Sequence, residues 1–259
     1  MICGAMLRTV TATEYVTPLR EGGSLPAIVG ADDDGTYVVK WRGAGQGVRA
    51  LAAEVISGEI ARALGLPVPE IVLVQLDGRM ARTEPDPEIQ ELLQKSEGLN
   101  AALDFLPGSI AFDPLVDRGL HGKERLASAI VWFDALVTNV DRTPKNTNLL
   151  VWHRQLWMID HGATLIFHHN WTDDAMKRAR KPFAQSKEHV LLPWATKIRD
   201  VDEELAAKLT PAVLDAILAL VPTEWLAKEP AAYRDYLRSR LEPPRAWMEN
   251  AADAQASLV

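Results

Sequence analysis

Cysteine is almost absent from this chain, because Cys3 is the only one among its 259 residues. A single thiol excludes disulfide bonds and cysteine-rich metal sites within one chain. Long apolar runs are lacking too, since none approaches the roughly 18 residues that a membrane-spanning helix needs. The first residues also lack the apolar core of a signal peptide. These absences predict a soluble cytoplasmic protein.

Positive charge is in short supply: 28 Lys and Arg residues stand against 35 Asp and Glu residues, and the net charge is −7. No Lys/Arg run of nucleic-acid-binding character appears, so we expect no direct binding of nucleic acid. The chain has no GxxxxGK phosphate loop and no GxSxG serine-hydrolase motif. The segment GAGQG lacks the third glycine of a dinucleotide loop, and it is interpreted as a flexible connection between a strand and a helix.

A histidine cluster raises the question of a zinc site. His161, His168 and His169 lie close together in the sequence. No HExxH motif and no cysteine partner accompanies them. A structural or cleft-lining role is therefore the favoured interpretation for all three.

The composition is that of an ordinary globular protein, with 47% hydrophobic and 24% charged residues. The length suits one large domain or two tightly joined lobes. The first third of the sequence predicts strands around one helix. The strands are expected at 7–18, in AIVG and in TYVVKW. The turn ADDDG joins the last two as a hairpin. A helix is predicted over 48–64 and ends at Gly65. The strand EIVLVQL and a short helix in PDPEIQELLQ follow.

The rest of the chain is predicted to be mainly helical. LNAALDFLPG is interpreted as an irregular connector and a candidate hinge between two lobes. A long buried helix is expected in GKERLASAIVWFDALVTN, followed by a loop in DRTPKN and by two short strands in TNLLVW and QLWMID. Further helices are expected around 171–180, 201–220 and 230–250.

Three oxygen-bearing side chains follow buried elements in this second part. Asp141 comes directly after the long helix, Asn146 lies five residues later, and Asp160 ends the second strand of the hairpin. A path of this length can bring both loops to one place, and few hard oxygen ligands are what Mg²⁺ takes when it also holds phosphates. Gly162 is expected to let the backbone turn sharply. Taken singly, such residues cap helices and form turns more often than they bind metal.

A lysine on a strand strengthens the functional interpretation. Lys40 ends the strand TYVVK, where a lysine is usually a solvated strand end. Glu54 lies on the following helix beside its apolar face, where it can point inward. A Lys–Glu pair that positions nucleotide phosphates is a standard part of kinase sites.

The motifs around these residues resemble those of HipA-like kinases, within the broader group that includes phosphoinositide kinases. NVDRTPKNTNLL resembles the catalytic loop of that group, WMIDHG resembles its metal-binding loop, and EVISGEIARALGLPVPE resembles the segment that carries the glutamate partner. The likeness extends over about residues 20–170.

The resemblance implies an α+β, two-lobed, protein-kinase-like fold. Its N-lobe (1–98) would be mainly β with one key helix, and its C-lobe (99–259) would be mainly helical. Asp141 would be the catalytic base or would position the acceptor, and Asn146 and Asp160 would bind Mg²⁺. Lys40, braced by Glu54, would contact the phosphates of ATP.

The resemblance also implies how the rest of the nucleotide would be bound. Gly23 and Ser24, with Gly22, would supply the phosphate loop, although EGGSLP is a poor glycine pattern. LNAALDFLPG would hold adenine through backbone groups. The expected activity is ATP- and Mg²⁺-dependent phosphotransfer to a protein Ser/Thr hydroxyl, with a lipid or small-molecule hydroxyl as the other acceptor.

Two departures leave other functions open. Thr143 stands where relatives often have His, and the extra N-terminal region of HipA toxins is not evident here, which leaves an antitoxin-like partner without support. The alternatives are a catalytically silent pseudokinase that acts through partners and an enzyme that transfers AMP on the same fold. ATP that is bound but not turned over would indicate the first, and transfer of the α-phosphate would indicate the second.

Overall fold

The computed structural model describes residues 6–19, 25–116, 122–172 and 174–258. In these ranges the strands are β1 (Thr9–Pro18), β2 (Ala27–Ala31), β3 (Thr36–Lys40), β4 (Ile71–Leu76), β5 (Gly98–Asp104), β6 (Ile110–Ala111), β7 (Leu149–Trp152) and β8 (Gln155–Met158). The helices are α1 (Gly47–Leu64), α2 (Pro87–Lys95), α3 (Glu124–Leu136), α4 (Ala175–Ala179), α5 (Ile198–Lys208), α6 (Pro211–Leu218), α7 (Pro230–Leu241) and α8 (Ala246–Ala256). Short 3-10 turns connect several of them.

The first five strands close into a barrel in the order β1-β2-β3-β5-β4. The predicted hairpin is present, because β2 and β3 pair antiparallel across the acidic turn. β1 pairs antiparallel with β2 and parallel with β4, and this parallel pair closes the barrel. Closure leaves none of these strands as an open edge.

Alternate side chains of β4 and β5 serve two separate hydrophobic cores. Val72, Val74 and Ala102 point into the barrel. Ile71 and Leu103 point outward and join a larger core built from the helices. The period of two along a strand therefore places the barrel directly against the helical part of the molecule.

The segment LNAALDFLPG is not an irregular connector at its start, and that prediction is wrong. Residues 98–104 form β5, which pairs antiparallel with β3 on one side and with β4 on the other. Both faces of the strand are covered, so the sequence shows no alternation of polar and apolar residues. A short run of this kind cannot be recognised from periodicity alone.

Helix α1 is buried around nearly its whole circumference, not along one face. Every residue from Ala50 to Ala61 is buried, including Glu54. The helix contacts β4 and β5 on one side and α5 and α6 on another. Gly65 ends it in the left-handed conformation with φ 83°, as its position in the sequence predicted.

The predicted hairpin after α3 is also present. β7 pairs antiparallel with β8, and the two-residue strand β6 adds to the other side of β7. α3 is buried over most of its length and contacts α5 and α8. The loop from 137 to 148 therefore leaves the centre of the helical core and enters a small sheet.

Prolines divide two of the helices that were expected to be long. The helix predicted over 201–220 is α5 followed by α6, which starts at Pro211. The helix predicted over 230–250 is α7 followed by α8, and Pro243 and Pro244 lie between them. Proline removes a backbone donor and clashes inside a helix, but it fits the first turn of a new one. Among the described residues, no helix has the length and apolar character needed to cross a membrane.

Candidate active site

The ammonium group of Lys40 lies between two carboxylates. Its Nζ donates hydrogen bonds to Glu54 Oε2 at 2.7 Å and to Asp160 Oδ1 at 2.5 Å. The alternation of β3 explains this position, because Val39 points into the barrel and Lys40 points the other way, toward α1. The structure thus brings together three of the residues predicted from the sequence, which come from a strand, a helix and a loop.

Glu54 is the buried centre of this group. Its side chain is fully inaccessible to solvent. The same Oε2 atom accepts a second hydrogen bond from the backbone N–H of His161 at 2.8 Å. Burial alone would raise the pKa of Glu54, but Lys40 and the side chain of His161 outweigh it and lower the pKa to about 2. Glu54 therefore stays ionised and holds both Lys40 and the loop that carries Asp160.

The charge of Lys40 is also fixed by its neighbours. Burial favours the neutral amine, but the carboxylates of Glu54 and Asp160 overcome that effect and raise the pKa of Lys40. Asp160 is the most open member of the group, with 39% of its side chain exposed. A ligand that approaches this side meets a permanently charged ammonium group next to an accessible carboxylate.

The sharp turn after β8 is made by Asp160 itself, and the prediction for Gly162 is wrong. Asp160 has φ 54°, whereas Gly162 is not in the left-handed region. A Cβ atom at Gly162 would meet its neighbours at ordinary contact distances of 3.6 Å or more. Aspartate tolerates the left-handed conformation better than most residues, so the loop needs no glycine there.

The carboxylate of Asp141 is held by two asparagines. Asn146 Nδ2 donates to Asp141 Oδ2 at 2.8 Å, and Asn148 Nδ2 donates to the same oxygen at 3.2 Å. The backbone N–H of Asp141 donates to Asn139 Oδ1 at 3.0 Å. Asn146 therefore lies beside Asp141, five residues away in the sequence. Asn139 and Asn148 are positioning residues that the sequence did not reveal.

Arg142 joins this loop to the loop of Asp160. Its side chain is fully buried and its Nη1 donates to the carbonyl oxygens of Asn148 and, at 3.2 Å, of Ile159. The Arg142 carbonyl accepts a hydrogen bond from Val190 N–H at 3.1 Å. One guanidinium group thus connects the residue before Asp160 with the loop that carries Asp141. The two halves of the site are linked through Arg142 and not by direct contact between their side chains.

A buried carboxylate on α3 anchors Arg142. Asp134 accepts from Arg142 Nε at 2.6 Å, from Asn139 Nδ2 at 2.8 Å and from His189 Nε2 at 2.8 Å. The His189 Nδ1 atom accepts from Leu191 N–H at 3.0 Å, so the Nε2 atom carries the proton. Burial alone would raise the pKa of Asp134, but Arg142 and His189 hold it well below its usual range.

Two further predictions concern residues of the nucleotide side. Gly23 and Ser24 lie outside the described residues, so the structure bears on neither. The backbone of β5 is used by its pairs with β3 and β4, and Phe105 N–H donates to the Thr36 carbonyl at 3.0 Å. If this segment holds adenine through its backbone, the groups available for it lie beyond Phe105.

A small cavity of about 20 Å³ adjoins Lys40. The turn GAGQG, the first turns of α1 and Gly162 line it. Within the turn, Gly47 adopts φ 64°, a conformation that glycine permits without strain. The turn that was interpreted as a plain connection therefore forms one wall of the space in front of Lys40.

The histidine cluster behaves as a structural feature in the described residues. His161 is buried against Glu54, and His168 is buried with its Nδ1 3.2 Å from the Tyr233 hydroxyl. Burial, with smaller effects of His169 and Arg49, lowers the pKa of His168 to about 3. No group of three or more His, Cys, Asp or Glu in the described chain is placed to hold a metal ion by itself.

Comparison with known proteins gives this arrangement a context. Residues 12–242 match the family described as HipA-like kinase. The Helicobacter pylori proinflammatory kinase CtkA has a similar structure, with a TM-score of 0.58 and 13% identity over 97% of this chain and 98% of that one. The Golgi casein kinase follows with a TM-score of 0.50 and 12% identity over 99% and 74%. No curated protein sequence matches. At these identities the structural likeness indicates a kinase-like fold and nothing finer.

Proposed function

Because the chain belongs to the HipA-like kinase family, and is therefore a kinase-type phosphotransferase, we propose that it transfers the γ-phosphate of ATP to a Ser or Thr hydroxyl of a protein. The observation that carries the proposal is the position of Lys40 between buried Glu54 and accessible Asp160. A fixed ammonium next to an open carboxylate suits a phosphate chain and its metal ion.

Asp160 and Asn146 are the proposed ligands of Mg²⁺. The donor set fits, because one exposed carboxylate and one amide oxygen leave the other positions to phosphate oxygens and water. When bound, Mg²⁺ would neutralise charge on the phosphates during transfer. Lys40 would then exchange its contact with Asp160 for phosphate oxygens, while Glu54 keeps it in place.

Asp141 is the proposed partner of the acceptor hydroxyl. Its Oδ2 is held by Asn146 and Asn148, which leaves Oδ1 to orient the hydroxyl and take up its proton. The acceptor oxygen forms a bond to the γ-phosphorus as the bond to the β–γ bridging oxygen breaks, and ADP leaves. Positioning and charge stabilisation, not covalent chemistry, supply the rate enhancement.

We also propose the two-lobed division that the sequence suggested, with the nucleotide between the barrel and the helical part. The predicted boundary lay between residues 98 and 99. Since β5 pairs within the barrel, we place the end of the first lobe after Asp104. Gly23 and Ser24 are proposed to cover the phosphates, and backbone groups beyond Phe105 are proposed to hold adenine.

The test has a binding step and a transfer step. ATP and Mg²⁺ together should stabilise the protein by about 2.7 kcal/mol at a ligand concentration near 100 times the dissociation constant, and Mg²⁺ alone should do little. The protein is then incubated with a cell extract and with ATP labelled at either the γ- or the α-phosphate. Transfer of γ-label to protein that is lost in Asp141→Asn supports the proposal.

Other outcomes assign other functions. Transfer of α-label would indicate an enzyme that transfers AMP. Binding of ATP without any transfer over a range of acceptors would indicate a pseudokinase. No stabilisation and no calorimetric signal at millimolar ATP would contradict nucleotide binding altogether.

A further inference from the structure

One segment of the chain has a charge opposite to that of the whole. Residues 175–199 contain seven Lys or Arg and a single acidic residue, Glu188, although the net charge of the protein is −7. The positive residues are spaced over α4, the 3-10 turn Ala184–Glu188 and the start of α5. Lys177, Arg180 and Arg199 are paired with carboxylates. The positive charges that remain unpaired oppose the sign of the whole protein, and such a local field indicates a surface for a charged partner.

The first part of this segment lies beside the start of the catalytic loop. Arg240 is buried, and its guanidinium donates to the carbonyls of Ala135 and Leu136 at 2.7 Å each and to that of Ala179 at 2.9 Å. The last turns of α3 and α4 therefore meet at one side chain. Lys181 follows Ala179 by two residues, so it stands close to where the chain leaves α3 toward Asp141.

The second part of the segment packs directly against the catalytic loop. His189 donates to Asp134, and Val190 N–H donates to the Arg142 carbonyl. Gln185 and Glu188 line the same small cavity as Thr143. Lys187 lies between these anchored residues along the chain, and it is exposed.

The lysines at this edge are exposed and have no ion-pair partner in the described part of the chain. They are Lys145, which lies in the catalytic loop just before Asn146, Lys181 and Lys187. Other surface cations are paired, including some within the same segment: Arg199 contacts Glu249 and Asp253, for example. The unpaired charges keep their full attraction for an incoming anion, because no internal carboxylate competes for them.

We propose that Lys145, Lys181 and Lys187 form a docking edge for an acidic segment of the acceptor protein, which brings the Ser or Thr of that segment to Asp141. This proposal rests on the proposed function and adds a substrate class to it: hydroxyl acceptors flanked by Asp or Glu. Exposed charges of this kind act mainly on association rate and partner choice.

An acidic peptide fits the surface better than a nucleic acid does. Nucleic-acid binding by charge needs many phosphate contacts, often six to ten. Three lysines and a total charge of −7 suit a short anionic stretch, and the rest of the surface would repel a long polyanion. Glu188 lies next to Lys187, and its negative charge would repel part of an acidic segment. It therefore limits how many negative charges the docking edge can bind.

The experiment uses the full chain and synthetic peptides. Ser-centred peptides flanked by Glu, by Gln or by Lys are compared as acceptors of γ-label, and fluorescent Ala-centred versions are compared for binding by anisotropy. We expect kcat/KM for Glu-flanked peptides to exceed that for Lys-flanked peptides by about tenfold or more and to fall as salt rises. The double change Lys181→Glu/Lys187→Glu should abolish or reverse this preference in both readouts.

Lys197→Glu is the matched control, and it is compared with the single variants Lys181→Glu and Lys187→Glu. Lys197 is exposed and belongs to the same basic segment, but its backbone N–H is bound to Ser128 Oγ. Ser128 precedes Leu136 on α3 by eight residues, or about 12 Å along the helix. Lys197→Glu should leave the peptide preference unchanged.

The outcomes separate this inference from the proposed function. ATP-dependent transfer with no preference for acidic flanks, or a preference that survives Lys181→Glu/Lys187→Glu, would overturn the docking edge and leave the kinase proposal intact. Tighter binding of a short RNA or DNA oligonucleotide that the same variants abolish would also overturn it, in favour of a nucleic-acid partner. If no label is transferred to any acceptor, the kinase proposal fails, while anisotropy still decides whether the edge binds acidic peptides.

Discussion

The candidate site contains two clusters of charged residues, and they differ in access to solvent. Lys40, Glu54 and Asp160 form a group with one open member, since 39% of the Asp160 side chain is exposed. Asp134 and Arg142 form a closed pair in which neither side chain is accessible beyond 1%. Both clusters cost desolvation energy. We infer that the open one exchanges partners with a ligand, and that the closed one holds the loops in position.

The largest expected effect separates the two carboxylates of the site by role. Asp160→Asn should weaken binding of ATP with Mg²⁺ and abolish turnover, because a proposed ligand of the metal loses its charge. Asp141→Asn should leave binding largely intact and lower turnover by about 100-fold or more, since positioning and charge stabilisation are lost. Calorimetry measures the binding and γ-label transfer measures the turnover. Full activity in Asp141→Asn would show that the loop of Asp141 is not the catalytic loop.

Substitutions in the closed cluster should lower the free energy of unfolding. Asp134→Ala leaves Arg142 and His189 without their carboxylate, and removing one partner of a buried pair costs about 3–5 kcal/mol. Urea denaturation measures the loss. Asp134→Asn keeps the volume and provides a milder variant if Asp134→Ala does not fold.

Glu91→Gln is the control for that measurement. Glu91 pairs with Lys95 on an exposed helix face, and solvent screens such a pair, so its loss should change the free energy of unfolding very little. Equal losses in Asp134→Asn and Glu91→Gln would show that the closed cluster has no special role in stability.

The open cluster should show coupling in turnover. Lys40→Met and Glu54→Gln should each lower activity, and the double variant should cost less than the sum, because Glu54 acts through Lys40 and His161 N–H. A coupling of about 0.5–3 kcal/mol in activation free energy is typical of residues in contact. Strictly additive effects would mean that Glu54 does not brace Lys40.

The smallest effect concerns a buried base outside both clusters. The pKa of His168 is lowered to about 3 in the folded protein, so between about pH 6.5 and 3 the unfolded chain binds a proton that the folded chain does not. Stability should therefore fall as the pH drops below about 6.5, with this one residue contributing on the order of 1 kcal/mol by pH 5.5. His168→Gln should flatten this part of the pH profile. An unchanged profile would contradict the burial of a neutral His168.

Local patterns predicted many of the elements. The turn ADDDG predicted the β2–β3 hairpin, Gly65 predicted the end of α1, and the apolar run before Asp141 predicted α3. The strand β5 was missed, since a strand that is buried on both faces has no alternating pattern. The long C-terminal helices were drawn across Pro211 and the Pro243–Pro244 pair, although proline marks a helix start or end.

The candidate site was predictable to the extent that its residues follow recognisable elements. The predicted site residues lie on or next to strands and helices that the sequence reveals; they are Lys40, Glu54, Asp141, Asn146 and Asp160. Asp134, Arg142 and His189 gave no such signal, because a buried charge looks like a surface charge until its partners are known. The arginine directly after Asp141 was the only available hint.

The sequence by itself determined most of the helices and strands, the residue types at each loop and the family resemblance that they carry, because propensity, turn chemistry and spacing act over short distances along the chain. Only the tertiary structure decided that the strands close into a barrel with its own core, that Glu54 and His161, 107 residues apart, share a hydrogen bond, and that Arg142 joins the two loops of the site. Contacts of this kind depend on which faces are buried together, and burial is a property of the folded chain as a whole.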